Sequence, residues 1–335
     1  MNFWKELSQP VFALAPMEDV TDTVFRELVM SVSSPEVLKV VFTEFTSTDG
    51  LLHKKGAERV GERLLVSDAE RSLLSKFNIK LVAQIWGNDP EKFARTAELL
   101  TRSGQFDGID INMGCPVKKV VLKNTCSALI KSPALAKEII EATRSVTHLP
   151  VSVKTRIGFN RAETEEWVSH LLQKDPAAVT LHGRTQKMQS DGTADWNEIG
   201  KARHVRDSLK SSTLILGNGD VTSYDQGLAL IQKHRLDGVM IGRGIFHSPW
   251  IFNKNSDVHT TKDKLELLLR HINNFELFWG DRKNFHVLRR FFKIYAAGFH
   301  GALAIRSDLM TCSSPEEARN IVHSFRQKEG LLQLA

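Results

Sequence analysis

Short apolar runs alternate with amphipathic segments along most of this chain. The apolar runs are "VFALAPM", "VVFTEF", "LVAQIWG", "GIDINMG", "VSVKTRI", "AVTLHGR", "LILGNGD" and "GVMIGRG". Most of them are rich in Val, Ile and Leu, which is typical of strands that are buried on both faces of a parallel sheet. The intervening segments, such as "PEKFARTAELLTRSG" and "SPALAKEIIEATRSV", have helical spacing, and Pro133 directly after Ser132 indicates the start of a helix.

This alternation predicts a fold of the α/β class. Strand followed by helix, repeated about eight times over roughly 250 residues, predicts a (β/α)8 TIM barrel. A doubly wound open sheet is the alternative that the same alternation allows.

The pattern changes after Phe252. The segment "NKNSDVHTTKD" is typical of a linker, and helical spacing continues beyond it without strand signals in "KLELLLRHINNFELF", "FHVLRRFFKIYAAGF" and "SPEEARNIVHSFRQ". We therefore predict a barrel domain over residues 1–254, followed by a small C-terminal all-α domain over residues 255–335.

Polar or reactive residues lie at the end of almost every apolar run. Because the C-terminal ends of barrel strands carry the active site, these residues are predicted to surround one common opening. Any one of them could simply cap a strand, but packing alone does not explain the whole set. In chain order they are Met17 with Glu18, Thr43 with Glu44, Gln84, Asn112, Lys154 with Arg156, His182, Asn218 and Arg243.

The last two runs carry glycine-rich turns. "LILGNGDV" and "GVMIGRGIF" place glycines where a backbone can approach a ligand closely, and Arg243 adds a positive charge. TIM barrels commonly bind a phosphate in the loops after the seventh and eighth strands. The position of the two turns therefore predicts an anion site.

Lys154, near the end of the fifth run, allows two kinds of chemistry. A buried lysine can form a Schiff base with a carbonyl substrate, as in aldolases. It can also stabilise negative charge on a reduced flavin ring. A phosphate site, a cation, His182 and Gln84 on different strand ends fit FMN better than they fit an aldol substrate.

Composition narrows the class of protein. The chain has 335 residues, of which 41% are hydrophobic and 25% charged, as in an ordinary globular protein. Its three cysteines are too scattered for a disulfide framework or a paired metal spacing, so we expect no metal and a reducing cytoplasm. No apolar run approaches the roughly 18 residues of a membrane span, and the N-terminus lacks the apolar core of a signal peptide, so no membrane partner is expected.

The net charge of +6 permits a nucleic-acid partner without requiring one. The segment "DRKNFHVLRRFFK" interleaves basic residues with phenylalanines, a pattern that can contact RNA. The same pattern fits a helix whose phenylalanines face the core and whose charges are solvated. Both interpretations stay open at this point.

Several motifs together resemble the tRNA-dihydrouridine synthases. They are "APMEDVTD", "DINMGCPVKK", "SALI", "SVKTRIGF", "HGRT", "NGDV" and "MIGRG", and the resemblance extends over essentially the whole chain, including "FFKIYAAGF". That family reduces uridine in folded tRNA to 5,6-dihydrouridine with FMN and NADPH. The resemblance therefore implies a flavin-dependent oxidoreductase with a barrel and a helical RNA-binding domain, and we expect a monomer.

The motif "DINMGCPVKK" carries a thiol between a glycine and a proline. Reduction of the uracil 5,6 double bond needs a hydride at C6, which the flavin N5 supplies, and a proton at C5. A thiol with a pKa of about 8.5 is mostly protonated near neutral pH and can donate that proton. The resemblance assigns this role to Cys115, whereas without the motif a buried cysteine acting as a small hydrophobe would fit equally well.

The resemblance also assigns binding roles residue by residue. Pro16, Met17 and Glu18 match the segment that packs beside the flavin, and Asn112 and Arg156 match residues expected near the uracil. The other residues hold the cofactor or meet the RNA. The cofactor group is Gln84, Lys154, His182, Asn218, Gly219, Asp220, Gly242 and Arg243, and the RNA group is Lys118, Lys119, Arg289 and Arg290.

Two departures from the family pattern bear on the loop that carries the thiol. A run similar to Gly-Ala-Gly normally precedes "SAL", but this chain has Asn124, Thr125 and Cys126 there. We expect a stiffer loop and a second thiol near the site. Phe159 stands where many members have tryptophan.

Three alternative functions remain open. One is an FMN barrel that resembles dihydroorotate dehydrogenase and acts on a free pyrimidine; the basic C-terminal helices count against it. Another is a barrel that binds RNA without catalysis, against which Cys115 and Lys154 argue. The third is a dihydrouridine synthase that acts on rRNA.

Overall fold

The structure is a computed structural model that describes residues 2–254 and 259–331. Parallel strands of these residues form one sheet. The strands are β1 (Val11–Leu14), β2 (Leu38–Phe42), β3 (Thr46–Ser47), β4 (Lys80–Trp86), β5 (Gly108–Met113), β6 (Val151–Arg156), β7 (Ala178–His182), β8 (Leu214–Asn218) and β9 (Gly238–Ile241).

The sheet closes into a barrel. The strand order is β2-β1-β9-β8-β7-β6-β5-β4-β3, and an additional pairing of β2 with β4, which aligns Val40 with Lys80, joins the two ends. The two-residue strand β3 pairs with the end of β4 and is not one of the eight strands that form the barrel. This closed (β/α)8 TIM barrel confirms the predicted fold. It excludes the open sheet, since each of the eight barrel strands has a neighbouring strand on both sides. Each predicted apolar run overlaps one of the eight barrel strands.

Helices surround the barrel and form the C-terminal region. α7 begins at Pro133 with Ser132 as its N-cap, as the sequence predicts. The helices are α1 (Thr23–Val32), α2 (Thr48–Leu52), α3 (Ala57–Gly61), α4 (Asp68–Phe77), α5 (Pro90–Ser103), α6 (Lys118–Val121), α7 (Pro133–Ser145), α8 (Thr164–Leu172), α9 (Trp196–Ser208), α10 (Tyr224–His234), α11 (Thr261–Trp279), α12 (Arg289–Tyr295), α13 (Ala302–Thr311) and α14 (Pro315–Lys328).

The inward faces of the strands carry both the inner core and the polar residues of the opening. Side chains alternate between the two faces of a strand, so residues two positions apart share a face. Val82 and Leu216 belong to a buried apolar cluster, and Gln84 and Asn218 follow them two positions later on β4 and β8. The polar residues thus form the layer above the inner core, at the C-terminal ends of the strands.

The C-terminal helices pack directly on the first βα unit of the barrel. The ring of Phe291 in α12 lies 4.9 Å from that of Phe25 in α1, and one buried apolar cluster includes both residues. The carboxylate of Asp22, which caps α1, also accepts hydrogen bonds from Trp279 Nε1 and Lys283 Nζ, both at 2.9 Å. This carboxylate therefore links the barrel to the helical region.

The predicted linker is shorter than the sequence pattern indicates. α11 begins at Thr261, inside "NKNSDVHTTKD", because Thr260 and Asp263 form a reciprocal capping box that starts the helix there. The predicted domain boundary between residues 254 and 255 adjoins residues 255–258, which lie outside the described residues, and it stays a prediction. In the described parts of the chain, no helix combines the length and the apolar character that crossing a membrane requires.

Candidate active site

A cavity of about 790 Å³ opens at the C-terminal ends of the barrel strands. Its volume falls within the range of about 300–1,000 Å³ that is usual for small-molecule sites. Most of the residues that the sequence assigns to the site line it. They are Pro16, Met17, Gln84, Asn112, Cys115, Lys154, Arg156, His182, Asn218, Gly219, Asp220, Gly242 and Arg243.

A buried chain of hydrogen bonds crosses the cavity floor from β6 to β4 and β5. Asp110 accepts from Ser152 Oγ and from Gln84 Nε2, each at 2.6 Å, and Gln84 Oε1 accepts from Asn112 Nδ2 at 3.0 Å. Burial raises the pKa of Asp110 to about 6, against the lowering effect of its two donors. Both amides in this series are therefore oriented by a neighbour, and Asn112 presents its side-chain oxygen to the loop that follows β5.

That loop, which carries Cys115, is held in place by side chains from both sides. Asn112 Oδ1 accepts the backbone N–H groups of Gly114 and Cys115, both at 3.0 Å. The carbonyl oxygen of Gly114 accepts from Arg156 Nε at 2.6 Å, and that of Cys115 accepts from Ser127 Oγ at 2.7 Å. Asn112 and Arg156 thus position the thiol through the backbone of its loop.

Arg156 also fastens the loop that follows β7. Its Nη1 donates to the carbonyl oxygens of Thr185 and Gln189, at 3.0 and 2.8 Å. Burial lowers the pKa of Arg156 to about 10, which leaves the guanidinium charged at neutral pH. One buried cation therefore fixes two of the loops at the mouth of the barrel.

The second thiol predicted near the site lies directly beside Cys115. A hydrogen bond from the Cys126 thiol lowers the pKa of Cys115 to about 7, although burial acts in the opposite direction. Burial and the adjacent Cys115 thiol raise the pKa of Cys126 well above its usual range, so Cys126 remains the protonated donor of the pair. Asn124 and Cys126 have φ of 56° and 54°, in the left-handed region that glycine adopts without cost. The departure from the family's glycines thus places a side chain where the backbone conformation still suits glycine.

Lys154 supplies a cation at the floor of the cavity. Its Nζ donates to Asn218 Oδ1 at 3.0 Å, and Asn218 Nδ2 in turn donates to the carbonyl oxygen of Met240 at 2.8 Å. Burial and then the charge of Arg156 lower the pKa of Lys154 to about 8. The lysine is still mostly protonated at neutral pH and its charge has a neutral amide as partner, so it can stabilise negative charge on a bound ring.

The turns after β8 and β9, where the sequence predicts an anion site, lie in the cavity wall. The backbone N–H groups of Gly219, Asp220, Gly242 and Arg243 donate to no acceptor within residues 2–254 and 259–331. Gly219 has φ of 128°, and a Cβ there would lie 2.6 Å from the Cβ of Ala194, so the turn requires glycine. Such unpaired N–H groups next to an exposed guanidinium are suited to bind a phosphate.

The carboxylate of Asp220, beside these turns, is paired with two arginines. Its carboxylate accepts a two-pronged hydrogen bond from Arg184 Nη2, at 2.8 and 2.7 Å, and lies 3.7 Å from Arg243 Nη2. Burial would raise the pKa of Asp220, but the Ala194 N–H and Arg184 lower it. Sequence reasoning missed Arg184, and the signal that could have found it is its place in the "HGRT" motif.

Some residues assigned to the site lie outside the cavity lining. Glu18 pairs with Arg63 at 2.7 Å and is half-exposed. Lys118 and Lys119 are exposed on α6, just beyond Cys115.

The two assigned arginines of the helical region differ in their surroundings. Arg289 is half-buried and donates to the carbonyl oxygen of Cys312 at 3.0 Å. Arg290 is exposed and donates to the carbonyl oxygen of Asp19, at the mouth of the barrel, at 2.9 Å. The phenylalanines of this segment, Phe285, Phe291 and Phe292, are buried, so they pack in the core, as the second interpretation of the pattern proposed.

The helical region contributes to the cavity wall. Lys293 and Ala297, at and just after α12, and Arg306 in α13 line it together with the barrel residues. Arg306 was not predicted, because its segment shows neither a motif nor a cluster of charge. In the described residues, no group of three or more His, Cys, Asp or Glu side chains could hold a metal ion.

Comparisons with known proteins agree with this geometry. A family model described as dihydrouridine synthase (Dus) matches residues 13–329. A probable tRNA-dihydrouridine synthase of Staphylococcus aureus (strain COL) is 44% identical over 326 residues, which are 97% of this chain and 95% of the relative. A probable tRNA-dihydrouridine synthase 2 of Bacillus subtilis (strain 168) is 40% identical over 329 residues, 98% of this chain and 97% of the relative. With a matching family model over nearly its whole length and a TIM barrel that gathers the family's motifs around one cavity, this chain belongs to the dihydrouridine synthase family.

Proposed function

We propose that this protein reduces uridines in tRNA to 5,6-dihydrouridine, with FMN as cofactor and NADPH as reductant. The family supports the reaction type, and the relatives, which are named as probable tRNA-dihydrouridine synthases, support tRNA as the substrate. The observation that carries the proposal is the cavity itself, whose lining brings together the glycine turns after β8 and β9, the buried cation of Lys154 and the thiol of Cys115.

The residues of the cavity fit FMN. The unpaired N–H groups of the turns after β8 and β9, with Arg243, would hold the phosphate. Gln84, Lys154 and His182 would contact the ring, since they line the cavity at the ends of three other strands. When bound, FMN would supply the hydride that the uracil C6 receives. Lys154 would then stabilise the negative charge that a flavin gains on reduction.

Cys115 would supply the proton at uracil C5. Proton transfer is most efficient when the pKa of the acid is close to the working pH, and the Cys126 hydrogen bond brings the pKa of Cys115 to about 7. Asn112 and Arg156 would orient the thiol by holding its loop from both sides. Water would return a proton to the thiol after each turnover, and NADPH would restore the reduced cofactor.

The helical region would bind the RNA next to the cavity. A uridine in folded RNA has to leave its stack to reach a buried site, so the enzyme must hold the flanking backbone. Lys293 and Arg306 line the cavity, and the exposed Arg290 lies at its rim against the loop of Asp19. Lys118 and Lys119 are exposed beside the Cys115 loop and could meet phosphates on the other side. We therefore propose residues 255–335 as the RNA-binding domain.

The test is to purify the full-length protein, record its absorption spectrum and supply NADPH with unmodified tRNA transcripts. We expect flavin absorption bands and dihydrouridine in the tRNA by mass spectrometry. Parallel reactions contain rRNA fragments, free uracil or orotate. Absence of flavin even after FMN is added would overturn the cofactor, and reduction of orotate but not RNA would favour an enzyme that resembles dihydroorotate dehydrogenase. Reduction of rRNA alone would move the substrate to rRNA.

A further inference from the structure

Arg184 connects two parts of the cavity through a buried side chain. Only 2% of the residue is exposed. Its Nη2 holds Asp220 and the carbonyl oxygen of Gly192, and its Nε donates to the carbonyl oxygen of Asp191 at 3.1 Å. Its Nη1 lies 3.3 Å from Nε2 of His182, on the neighbouring side of the cavity wall. All three nitrogens of the guanidinium are therefore used, and one of them meets a histidine ring.

This contact determines where the proton of His182 lies. A guanidinium is a donor only, so Nε2 of His182 must be the acceptor of the pair and cannot carry hydrogen. Burial, followed by the charges of Lys154 and other nearby cations, lowers the pKa of His182 well below its usual range. The ring is therefore neutral, and its single N–H is on Nδ1.

The Nδ1 edge is the one left for a ligand. The Nε2 edge of the ring faces Arg184 and the turn at Gly219, where a Cβ would lie 3.4 Å from Nε2. His182 lines the cavity, and within the described stretches of chain no hydrogen bond involves its Nδ1. An N–H donor without a protein partner in a cavity wall is suited to an acceptor atom of a bound molecule.

We propose that Arg184 is a positioning residue that fixes His182 as an Nδ1–H donor toward an acceptor atom, a carbonyl oxygen or unprotonated nitrogen, of the bound heteroaromatic ring. Through Asp220 the same guanidinium ties this donor to the anion site, so the two ends of an elongated ligand are held in register. The nature of the ring rests on the proposed function, whereas the tautomer does not.

The tautomer can be measured directly by nitrogen-15 NMR of the full-length protein labelled at histidine. A His182→Gln variant identifies the resonances of His182 among the 12 histidines. We expect Nδ1 at the position of a protonated nitrogen and Nε2 at that of an unprotonated one, before FMN is added. A proton on Nε2 in the unmodified protein would overturn the proposal without any further variant.

Arg184→Met removes the donor, and Arg243→Met is the matched control. Both substitutions remove a positive charge that acts on His182, but the partner of His182 Nε2 is Arg184 and not Arg243. In Arg184→Met the Nε2–H tautomer should appear, whereas in Arg243→Met the Nδ1–H tautomer should persist. If the tautomer is unchanged in a folded Arg184→Met protein, or changes equally in both, Arg184 does not control it.

Addition of FMN tests the ligand contact separately. The Nδ1 resonance of the parent protein should shift when FMN binds, and Arg184→Met should weaken FMN binding by about tenfold, as expected when one oriented hydrogen bond is removed. If FMN binds while the Nδ1 resonance stays unchanged, His182 is not the donor and the proposal fails, although the proposed function stands. If FMN does not bind at all, the proposed cofactor fails, while the ligand-free spectrum still decides the tautomer.

Discussion

The side-chain oxygen of Asn112 accepts the backbone N–H of Cys115 at 3.0 Å. The same oxygen accepts from Gly114, and the amide nitrogen of Asn112 donates to Gln84 on the cavity floor. The last polar residue of β5 thus sets the position of the thiol loop relative to the floor. A displacement of reacting groups by about 1 Å can cost about 10²-fold in rate, so this contact should matter to catalysis.

Asn112→Ala should slow the oxidation of reduced enzyme by RNA by roughly 10- to 100-fold, because the loop of Cys115 is then no longer hydrogen-bonded to this side chain of β5. Rapid anaerobic mixing of reduced enzyme with unmodified tRNA measures the rate. Reduction of the flavin by NADPH should change much less, since it needs no thiol. An unchanged rate with RNA would show that Arg156 and Ser127 hold the loop without Asn112.

Cys115→Ala should separate the two halves of the reaction. Flavin reduction by NADPH should continue, whereas oxidation by RNA should slow by about 10²–10⁴-fold, the usual contribution of a positioned general acid. Cys126→Ala is the matched control, since it removes the neighbouring thiol and should remain largely active. If Cys115→Ala keeps the parent rate while Cys126→Ala is inactive, the acid is Cys126.

Cys126→Ala should also change the pH dependence. The Cys126 hydrogen bond lowers the pKa of Cys115 to about 7, so in the parent the thiol deprotonates, and the rate with RNA falls, as the pH rises through about 7. Without that bond the pKa of Cys115 rises, and the fall moves to higher pH. The rate of alkylation of Cys115 by iodoacetamide, measured against pH, reports the same pKa. Identical alkylation profiles in the two proteins would mean that the thiols do not interact.

Arg243→Ala should weaken FMN binding by roughly one to two orders of magnitude, because a hydrogen bond to a charged group contributes about 1.5–3 kcal/mol. Fluorescence titration of the flavin-free protein measures the affinity. The backbone N–H groups of the turns remain in this variant, so binding should weaken without being abolished. An unchanged titration would place the phosphate elsewhere.

Lys293→Ala and Arg306→Ala should each weaken tRNA binding and lower its salt dependence. Each phosphate that a cation neutralises releases about one counterion, so the slope of log K against log salt should become shallower by about one in each variant. Lys210→Ala is the control, since this exposed lysine lies near the opposite end of the barrel, before β8.

Arg290→Ala should weaken tRNA binding in the same way as Lys293→Ala and Arg306→Ala. Arg289→Ala should have a smaller effect, because Arg289 is half-buried against Cys312. Equal slopes in all the variants would place the RNA on another surface.

The sequence was enough to predict the barrel, and most of the residues that it assigns to the site line the cavity. Parallel strands that are buried on both faces are continuous apolar runs, so their number and order could be read directly. Because all the strands end at one edge of the barrel, a polar residue such as Gln84 or Lys154 at a strand end had to lie near the others. The family motifs added the proposed role of Cys115, which no periodicity reveals.

Contacts between segments that are distant in the chain needed the tertiary structure. The pairing of Arg184 with Asp220, 36 residues later, depends on how two loops meet above the barrel. Arg306 reaches the cavity only because α13 packs over the mouth, and its own segment carries no signal of that. The early start of α11 is different, because the Thr260 and Asp263 capping box was visible in the sequence and the linker pattern obscured it.

The amino-acid order dictates which residue types stand at the C-terminal end of each strand, and hence the chemistry available to this protein. The orientation and charge of those groups arise only in the folded barrel: the neutral state of His182, the shared hydrogen bond of Cys115 and Cys126, and the unpaired N–H groups at Gly219. The physical reason is that strand pattern and turn chemistry are local properties of the chain. A pKa or a hydrogen-bond partner instead depends on burial and on neighbours that only the closed barrel brings together.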